Sequence, residues 1–583
     1  MSGRRALRLL SGIALTTELL AAALPALAAK SAKPEFGSNV LIFKPSMSSR
    51  TIQKKIDAVY ATLQHSEFSP QRKALLFLPG SYSVDVPVGF YTEVMGLGAS
   101  PDATKIAGNL HADANHEHNN ATTTFWRAAE GLSIAPTGGT MQWAVSQAVS
   151  LRRMHVRGDL VLHQHHGWAS GGWMSDSLVD GNVDSGSQQQ WISRNCDWKS
   201  WTGSNWNMVF VGVVHPPDGA WPSPPYTTVA QTPVVREKPF LQVNAAGEFS
   251  VRVPELRNDS VGITWRDGET PGETIPMTRF YIARSDVDTT DTINAQLALG
   301  KNLILTPGIY DLTAPIRVTQ PHTVVLGLGF ATLRPIRGTA GLTTADADGI
   351  DVAGVLFDAG PTESPVLLEV GPEDSQARHA KAPITLHDVF FRVGGAGVGR
   401  AKVNLKINSN DTLVDHTWIW RADHGDGVGW DLNTSENGLV VNGNEVTIYG
   451  LFVEHHQQFQ VLWNGNGGRT YFYQSEIPYD PPNQPSYSSA PGVNGWASYK
   501  VADGVTSHEA WGLGVYSVFI YPDVLLTRAI ETPGLGNKSP QIRFHDMITV
   551  ALGTHGVISH VIDDAGEATS IHPRVTPKLT DFP

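Results

Sequence analysis

One arrangement of residues occurs twice in this chain, and that duplication restricts the fold more than any other feature. Thr51-Ile52-Gln53 opens a helix-like stretch, Leu75-Leu76-Phe77-Leu78 follows as an apolar strand, Pro79-Gly80 turns the chain, and Ser81-Tyr82 leads on to Gly96-Leu97-Gly98. About 230 residues later the order recurs as Thr292-Ile293-Asn294, Leu303-Ile304-Leu305-Thr306, Pro307-Gly308, Ile309-Tyr310 and Val325-Leu326-Gly327-Leu328-Gly329. Proline fixes φ and glycine admits positive φ, so each Pro-Gly makes a sharp corner. Beyond each copy the chain reads as short apolar strands divided by Gly, Asn and Asp, as in Pro383-Ile384-Thr385-Leu386-His387-Asp388-Val389-Phe390-Phe391. No long helical period intervenes. Strand-corner-strand repetition of this kind suits a right-handed parallel β-helix, whose coils bury their faces only against one another. The expected fold is therefore all-β, with two tandem right-handed parallel β-helix domains. A short N-terminal capping helix opens each and covers the bare core and the open sheet edge. The prolines at 216, 217, 222, 224 and 225 mark a connector, which sets the expected domains at 29–215, 216–278 (the connector) and 279–583.

Residues 1–28 read as an export signal. Arg4, Arg5 and Arg8 are basic, an apolar run follows from Leu9 to Leu24 with a break at Thr16-Thr17-Glu18, and Ala26-Leu27-Ala28 offers small-x-small cleavage. A secreted, extracellular protein starting near Ala29 is expected, exported by the general or the twin-arginine route. No later stretch approaches the ~18 apolar residues of a membrane span. Cys196 is the single cysteine, so stability must come from a packed core and not from a disulfide. It sits in strand-like surroundings and reads as a buried, inert thiol. The net charge of −12 repels phosphate backbones and polyanions, which excludes nucleic acid and disfavours a uronate polymer. A neutral polysaccharide acted on by a monomer is the easier fit.

The stretch richest in chemistry is Val453-Glu454-His455-His456-Gln457-Gln458-Phe459, followed by Tyr471-Phe472-Tyr473-Gln474-Ser475-Glu476-Ile477-Pro478-Tyr479. Glu454 and Glu476 are 22 residues apart, about one coil, and coils stack at about 4.8 Å. They can lie side by side, as glycoside hydrolysis requires: one carboxylic acid protonates the leaving oxygen while the other carboxylate activates water or attacks carbon. Mutual repulsion would separate their pKa values. The alternative is a pair of solvated neighbours on a lateral face; the adjacent histidines, glutamines, tyrosines and Trp463 favour chemistry. Gln188-Gln189-Gln190-Trp191 could orient a water or sugar hydroxyls, or form an amide ladder along the coils. Trp168, Trp173, Trp418, Trp420 and Trp463 are candidates for stacking on sugar rings, or core. Asp423-His424-Gly425-Asp426-Gly427 reads as a turn, lacking calcium-loop spacing. His163, His165 and His166 lack cysteine company and helical spacing. No metal or cofactor is expected. Glu509 is a reserve carboxylate with a structural or rim role.

Glu454-His455-His456 and Gln474-Ser475-Glu476-Ile477-Pro478-Tyr479 resemble the signature of glycoside hydrolase family 55. So do His508-Glu509-Ala510-Trp511-Gly512-Leu513-Gly514-Val515-Tyr516, Asp184-Ser185-Gly186-Ser187-Gln188-Gln189-Gln190-Trp191 and Trp201-Thr202-Gly203-Ser204-Asn205-Trp206-Asn207. The resemblance spans nearly the whole mature chain and implies a tandem pectate-lyase-like β-helix plan. It further implies an inverting, usually exo-acting β-1,3-glucanase with its cleft between the two helices. It makes Glu476 the general acid and Glu454 part of the network that activates water. Gln189, Gln190 and Ser204 become candidates to hold that water, with His455 and Gln474 beside them, and Tyr479, Trp463 and Trp511 candidates for substrate contact. Ile477 departs from the small polar residue expected there. Two other classes stay open: a polysaccharide lyase, which needs a Lys or Arg base and usually calcium, and a non-catalytic glycan-binding β-helix protein, which needs no glutamate pair.

Overall fold

The computed structural model describes residues 34–534 and 539–583; the export signal read at residues 1–28 lies outside them. Helix α1, Ser49–Leu63, starts where the Ser48 side chain accepts from the Thr51 N–H, and buries Ile52, Ile56, Val59 and Leu63 on one face. Helix α2, Thr290–Ala298, starts at a capping box between Thr289 and Thr292 and buries Ile293 and Leu297. Each apolar stripe joins the interior of its own β-helix, so the two helices are the caps expected from the duplication.

The first stack has a nine-stranded sheet running from Val40–Phe43 through Lys73–Phe77, Thr92–Gly96, Arg127–Glu130, Val149–Arg152, Trp173–Ser175, Gln190–Arg194 and Asn207–Val211 to Tyr226–Val229. The second stack has a longer sheet running from Phe280–Ala283 up to Ile542–Ala551, closed by the antiparallel strand Lys578–Phe582. In each, strands of one sheet alternate along the chain with strands of a second, and the apolar core fills the space between them.

Successive coils pair in parallel and in register. Tyr449 pairs with Tyr471, Tyr471 with Trp511, and Trp511 with His545. The rings stack accordingly, with centroids 5.0, 4.5 and 5.4 Å apart. Register also brings corners into line. Asp388, His416, Gly450, Phe472, Gly512 and Asp546 occupy equivalent places on consecutive coils and all have positive φ, from 49° to 75°. Gly450 is needed there: a Cβ would lie 2.5 Å from the Trp173 ring of the other stack.

The two stacks lie side by side and match coil for coil. Phe125 meets Trp418 with centroids 4.8 Å apart, and Trp173 lies flat on His416 at 5.3 Å. Asn207 donates to the Gly512 carbonyl at 2.8 Å. Buried ion pairs lie at the same interface: Arg152 and Arg194 of the first stack reach Asp388 and Asp415 of the second, while Glu237 and Lys238 of the segment between the stacks pair with Arg194 and with Glu93, Glu130 and Asp388.

The proline run differs from expectation. Tyr226–Val229 pairs with Met208–Val211, so the first stack extends past the boundary at 215 and the prolines lie inside its last coil. They occupy the turn, where no ladder N–H is required. The remaining connector forms two small antiparallel sheets and supplies Glu237 and Lys238 to the interface.

Candidate active site

A cavity of about 260 Å³ opens between the stacks. Phe125, Gln147, Ser170 and Gln189 of the first stack face Trp418, Trp420, Asp423, His424, Glu454, His455, Glu476 and Tyr479 of the second. Glu454 ends the strand Thr447–Glu454 and Glu476 ends Gly468–Glu476. Phe452 pairs with Gln474, so the glutamates hold equivalent places on neighbouring coils. The ladder continues through the His455 N–H, which donates to the Glu476 carbonyl at 2.8 Å. His455, at φ 67°, then turns the chain out of the sheet.

The two carboxyl groups sit in unlike surroundings. Glu454 receives three N–H donors: Gln147 Nε2 at 3.0 Å and Gln474 Nε2 at 2.7 Å on Oε1, and Trp418 Nε1 at 2.8 Å on Oε2. Burial pushes its carboxyl up to about 7, against the pull of those hydrogen bonds. Glu476 accepts from Tyr479 Oη alone among protein side chains described. Burial, then the neighbouring Glu454 and Asp423, hold it well above the usual carboxylate range. Two carboxyl groups in one dry cavity resist joint ionisation, and the group with three donors is the one favoured to carry the charge.

The loop after Glu476 is clamped. Arg421 donates to both carboxylate oxygens of Asp480 at 2.8 Å and to the His455 carbonyl at 3.2 Å. His455 meets the Tyr479 ring edge-on, with centroids 4.4 Å apart. At the Trp420 end, His424 bonds Asp423 at 3.1 Å and Glu67 of the first stack at 2.7 Å. Burial opposes the charge on His424, but these two carboxylates raise it to about 10. Burial likewise opposes ionisation of Asp423, yet the His424 hydrogen bond and His455 hold it at about 2.

Of the residues singled out in the sequence, Glu454, Glu476, His455, Tyr479 and Gln189 line the cavity, and Gln474 reaches Glu454 from its wall. Gln190 lies behind that wall, donating to the Ser170 carbonyl. Three readings are corrected. Ser204 is not among the residues lining the cavity; it follows Gly203, whose carbonyl accepts from Tyr226 Oη in the last coil of the first stack at 2.9 Å. Trp463 is fully buried inside the second β-helix against Tyr499 and His508, since its strand Val461–Trp463 belongs to the other sheet. Trp511 belongs to the ring ladder between Tyr471 and His545. Of the stacking candidates, Trp418 and Trp420 line the cavity, Trp418 also donating to Glu454, and Trp173 is packed between the stacks. Gln188 spends its amide on backbone groups of neighbouring coils. Cys196 is buried and burial raises its thiol, as an inert group requires.

Gln147, Asp423 and His424 were missed. For the latter two a signal exists: register pairs Trp420 with Glu454, so the turn just after Trp420 must lie beside the glutamates. Gln147 has no such marker, because its contact with Glu454 bridges 307 residues.

A family model described as the LAM55 pectate lyase-like domain matches residues 280–476. A relative named Exo-beta-1,3-glucanase, from Streptomyces sp. (strain SirexAA-E / ActE), is 44% identical over 94% of this chain and 90% of its own length. The solved structure of sacteLam55A from Streptomyces sp. SirexAA-E superposes with a TM-score of 0.91 at 44% identity, covering 94% of this chain and 99% of that one. A glutamate-to-alanine variant of sacteLam55A, in complex with glucose, aligns with the same TM-score of 0.91 at 43% identity over 94% of this chain and 99% of its own. Likeness of that extent, joined to paired carboxyl groups in a cavity between two β-helices, makes this chain a glycoside hydrolase belonging to family 55.

Proposed function

We propose that this protein is a secreted enzyme that hydrolyses β-1,3-glucan from a chain end with inversion. Glu476 acts as general acid and Glu454 as the carboxylate that activates water. The substrate class rests on the exo-β-1,3-glucanase relative and on the glucose-bound neighbour. The roles rest on one observation, the unequal surroundings of the two glutamates. Three N–H donors suit Glu454 to the ionised state, in which it can take a proton from water. Glu476, buried beside that charge, is suited to keep its proton until the glycosidic oxygen receives it. Glu454 is also pinned by groups from both stacks, which favours a base that stays in place over a nucleophile that must reach carbon. Among the described residues, no lysine or arginine lines the cavity to serve a lyase as base.

The test is product release from laminarin by wild type and by Glu476→Gln. Glucose as the main early product, released first as the α-anomer by NMR, with a loss of about 10²-fold or more in the variant, supports the reading. Mixed oligomers would refute chain-end attack, β-glucose would refute inversion, and an unimpaired variant would remove Glu476 as the acid. Recovery from the medium of a chain beginning near Ala29 tests export.

A further inference from the structure

The chain that follows Glu476 has few backbone donors. Ile477 still joins the ladder, its N–H donating to the Tyr516 carbonyl at 3.1 Å, and its side chain fills the core. Pro478, Pro481 and Pro482 then have no N–H to give. Between them stand Tyr479 and Asp480, and side chains fix where these two lie. The Tyr479 hydroxyl donates to the Glu476 carboxyl group, and the Tyr479 carbonyl accepts from the Ile520 N–H at 2.9 Å. Asp480 stands outside the cavity lining and takes the Arg421 guanidinium on both of its oxygens at 2.8 Å.

Arg421 ends the strand Leu413–Arg421, and its side chain is 1% exposed. All five of its N–H donors are used. Nε donates to the Asn433 carbonyl at 2.8 Å, Nη1 to Asp480 and to the His455 carbonyl at 3.2 Å, and Nη2 to Asp480 and to the Gly429 carbonyl at 3.2 Å. A planar fork fixed at every donor holds its carboxylate partner in one orientation. His455 belongs to the same assembly, since its ring meets that of Tyr479 edge-on. One guanidinium therefore sets both the ring neighbour and the chain neighbour of Tyr479.

The titratable groups that face Glu476 and Tyr479 are Glu454 and His455 from the preceding coil, Asp423 and His424 from the turn after Trp420, and Tyr516 from the following coil. Among the described lining residues the first stack contributes none. The charges that act on Glu476 are Glu454 and Asp423, and Arg421 and Asp480 act on His455 in opposite senses. The pair supplies position and not field.

We propose that the Arg421–Asp480 pair is the positioning element of the general acid, holding the Tyr479 hydroxyl on the Glu476 carboxyl group without touching substrate. The proposal rests on Glu476 being the acid.

The experiment measures kcat and KM across pH on a β-1,3-linked glucose trimer for wild type, Asp480→Asn, Tyr479→Phe, their double variant and Glu476→Gln. Asp480→Asn keeps the size of the side chain and removes the ion pair, so Tyr479 loses its fixed seat. Its kcat is expected to fall about tenfold, the scale of a slightly displaced catalytic group, with KM within about twofold of wild type. Its alkaline limb moves to higher pH, as in Tyr479→Phe, because the hydrogen bond that favours the ionised acid is weakened. In the double variant the limb stands where Tyr479→Phe alone puts it. Arg421→Lys keeps the charge and loses the fork, and is expected to behave as Asp480→Asn does; it decides the matter if Asp480→Asn does not fold. A limb that stays in place in these variants, or that moves further in the double variant than in Tyr479→Phe, overturns the positioning role. A fully active Glu476→Gln overturns the acid assignment and the proposal with it, whereas an inactive Glu476→Gln beside an unmoved limb overturns the positioning alone.

Discussion

Glu476 and Glu454 differ by what surrounds them, and the difference has consequences in pH. Under the proposed roles, activity needs Glu476 protonated and Glu454 ionised, so the alkaline limb of the kcat/KM profile follows Glu476. Tyr479 donates a hydrogen bond to its carboxylate, which favours the ionised form. Tyr479→Phe should therefore move the alkaline limb to higher pH; a limb that stays in place or falls would show that Tyr479 does not tune the acid. Stability gives a second reading. The folded pKa of Glu476 is raised above its unfolded value of 4.5, so the unfolded chain loses this proton first. Stability is full below the unfolded pKa and declines as pH rises toward the folded one. Glu476→Gln removes that decline. Its Tm relative to wild type should rise between pH 5 and pH 8 in thermal scans, and a pH-independent difference would contradict a buried acid.

Single elements are governed by register. A residue's neighbours above and below are those about one coil away, so like residues accumulate in ladders such as Tyr449, Tyr471, Trp511 and His545. Which face a residue takes depends on its place relative to the positive-φ corners. Trp418 and Trp420 follow the corner at His416 and face the other stack, whereas Trp463 points into the core. Trp463→Ala should cost about 3–5 kcal/mol in urea unfolding, as large buried aromatics do. The active protein that remains folded should keep its KM for glucan, and a KM effect without a stability loss would restore Trp463 to the substrate site.

At the scale of the whole molecule, the cavity exists because two β-helices are held in one alignment. Buried charges contribute to that alignment. Asp415 sits between Arg152 and Arg194, and these guanidinium groups hold its carboxyl well below the usual range in spite of burial. Asp415→Ala leaves two buried cations short of a partner, and should cost about 3–5 kcal/mol. Because Arg152 and Arg194 belong to the first stack and Asp415 to the second, the loss should come with misalignment of Gln147 and Glu454 and reduced kcat. Denaturation followed by fluorescence and activity reads both; a stability change below 1 kcal/mol, on the scale of an exposed pair, would deny the cluster this role.

The sequence alone determined the repeat and the adjacency of Glu454 and Glu476, although the coils themselves vary from 22 residues between Thr447 and Arg469 to 40 between Gly468 and His508. In a parallel β-helix a spacing of one coil becomes contact between neighbouring strands, so linear distance translates into structure. It also exposed the motifs that carry the family likeness. Only the tertiary structure decided that Gln147 and Trp418 hold Glu454 while Ser204 and Trp463 lie elsewhere. Those outcomes depend on packing between two stacks far apart in the chain, and on corners that interrupt the in-out alternation of each strand. Local spacing records neither.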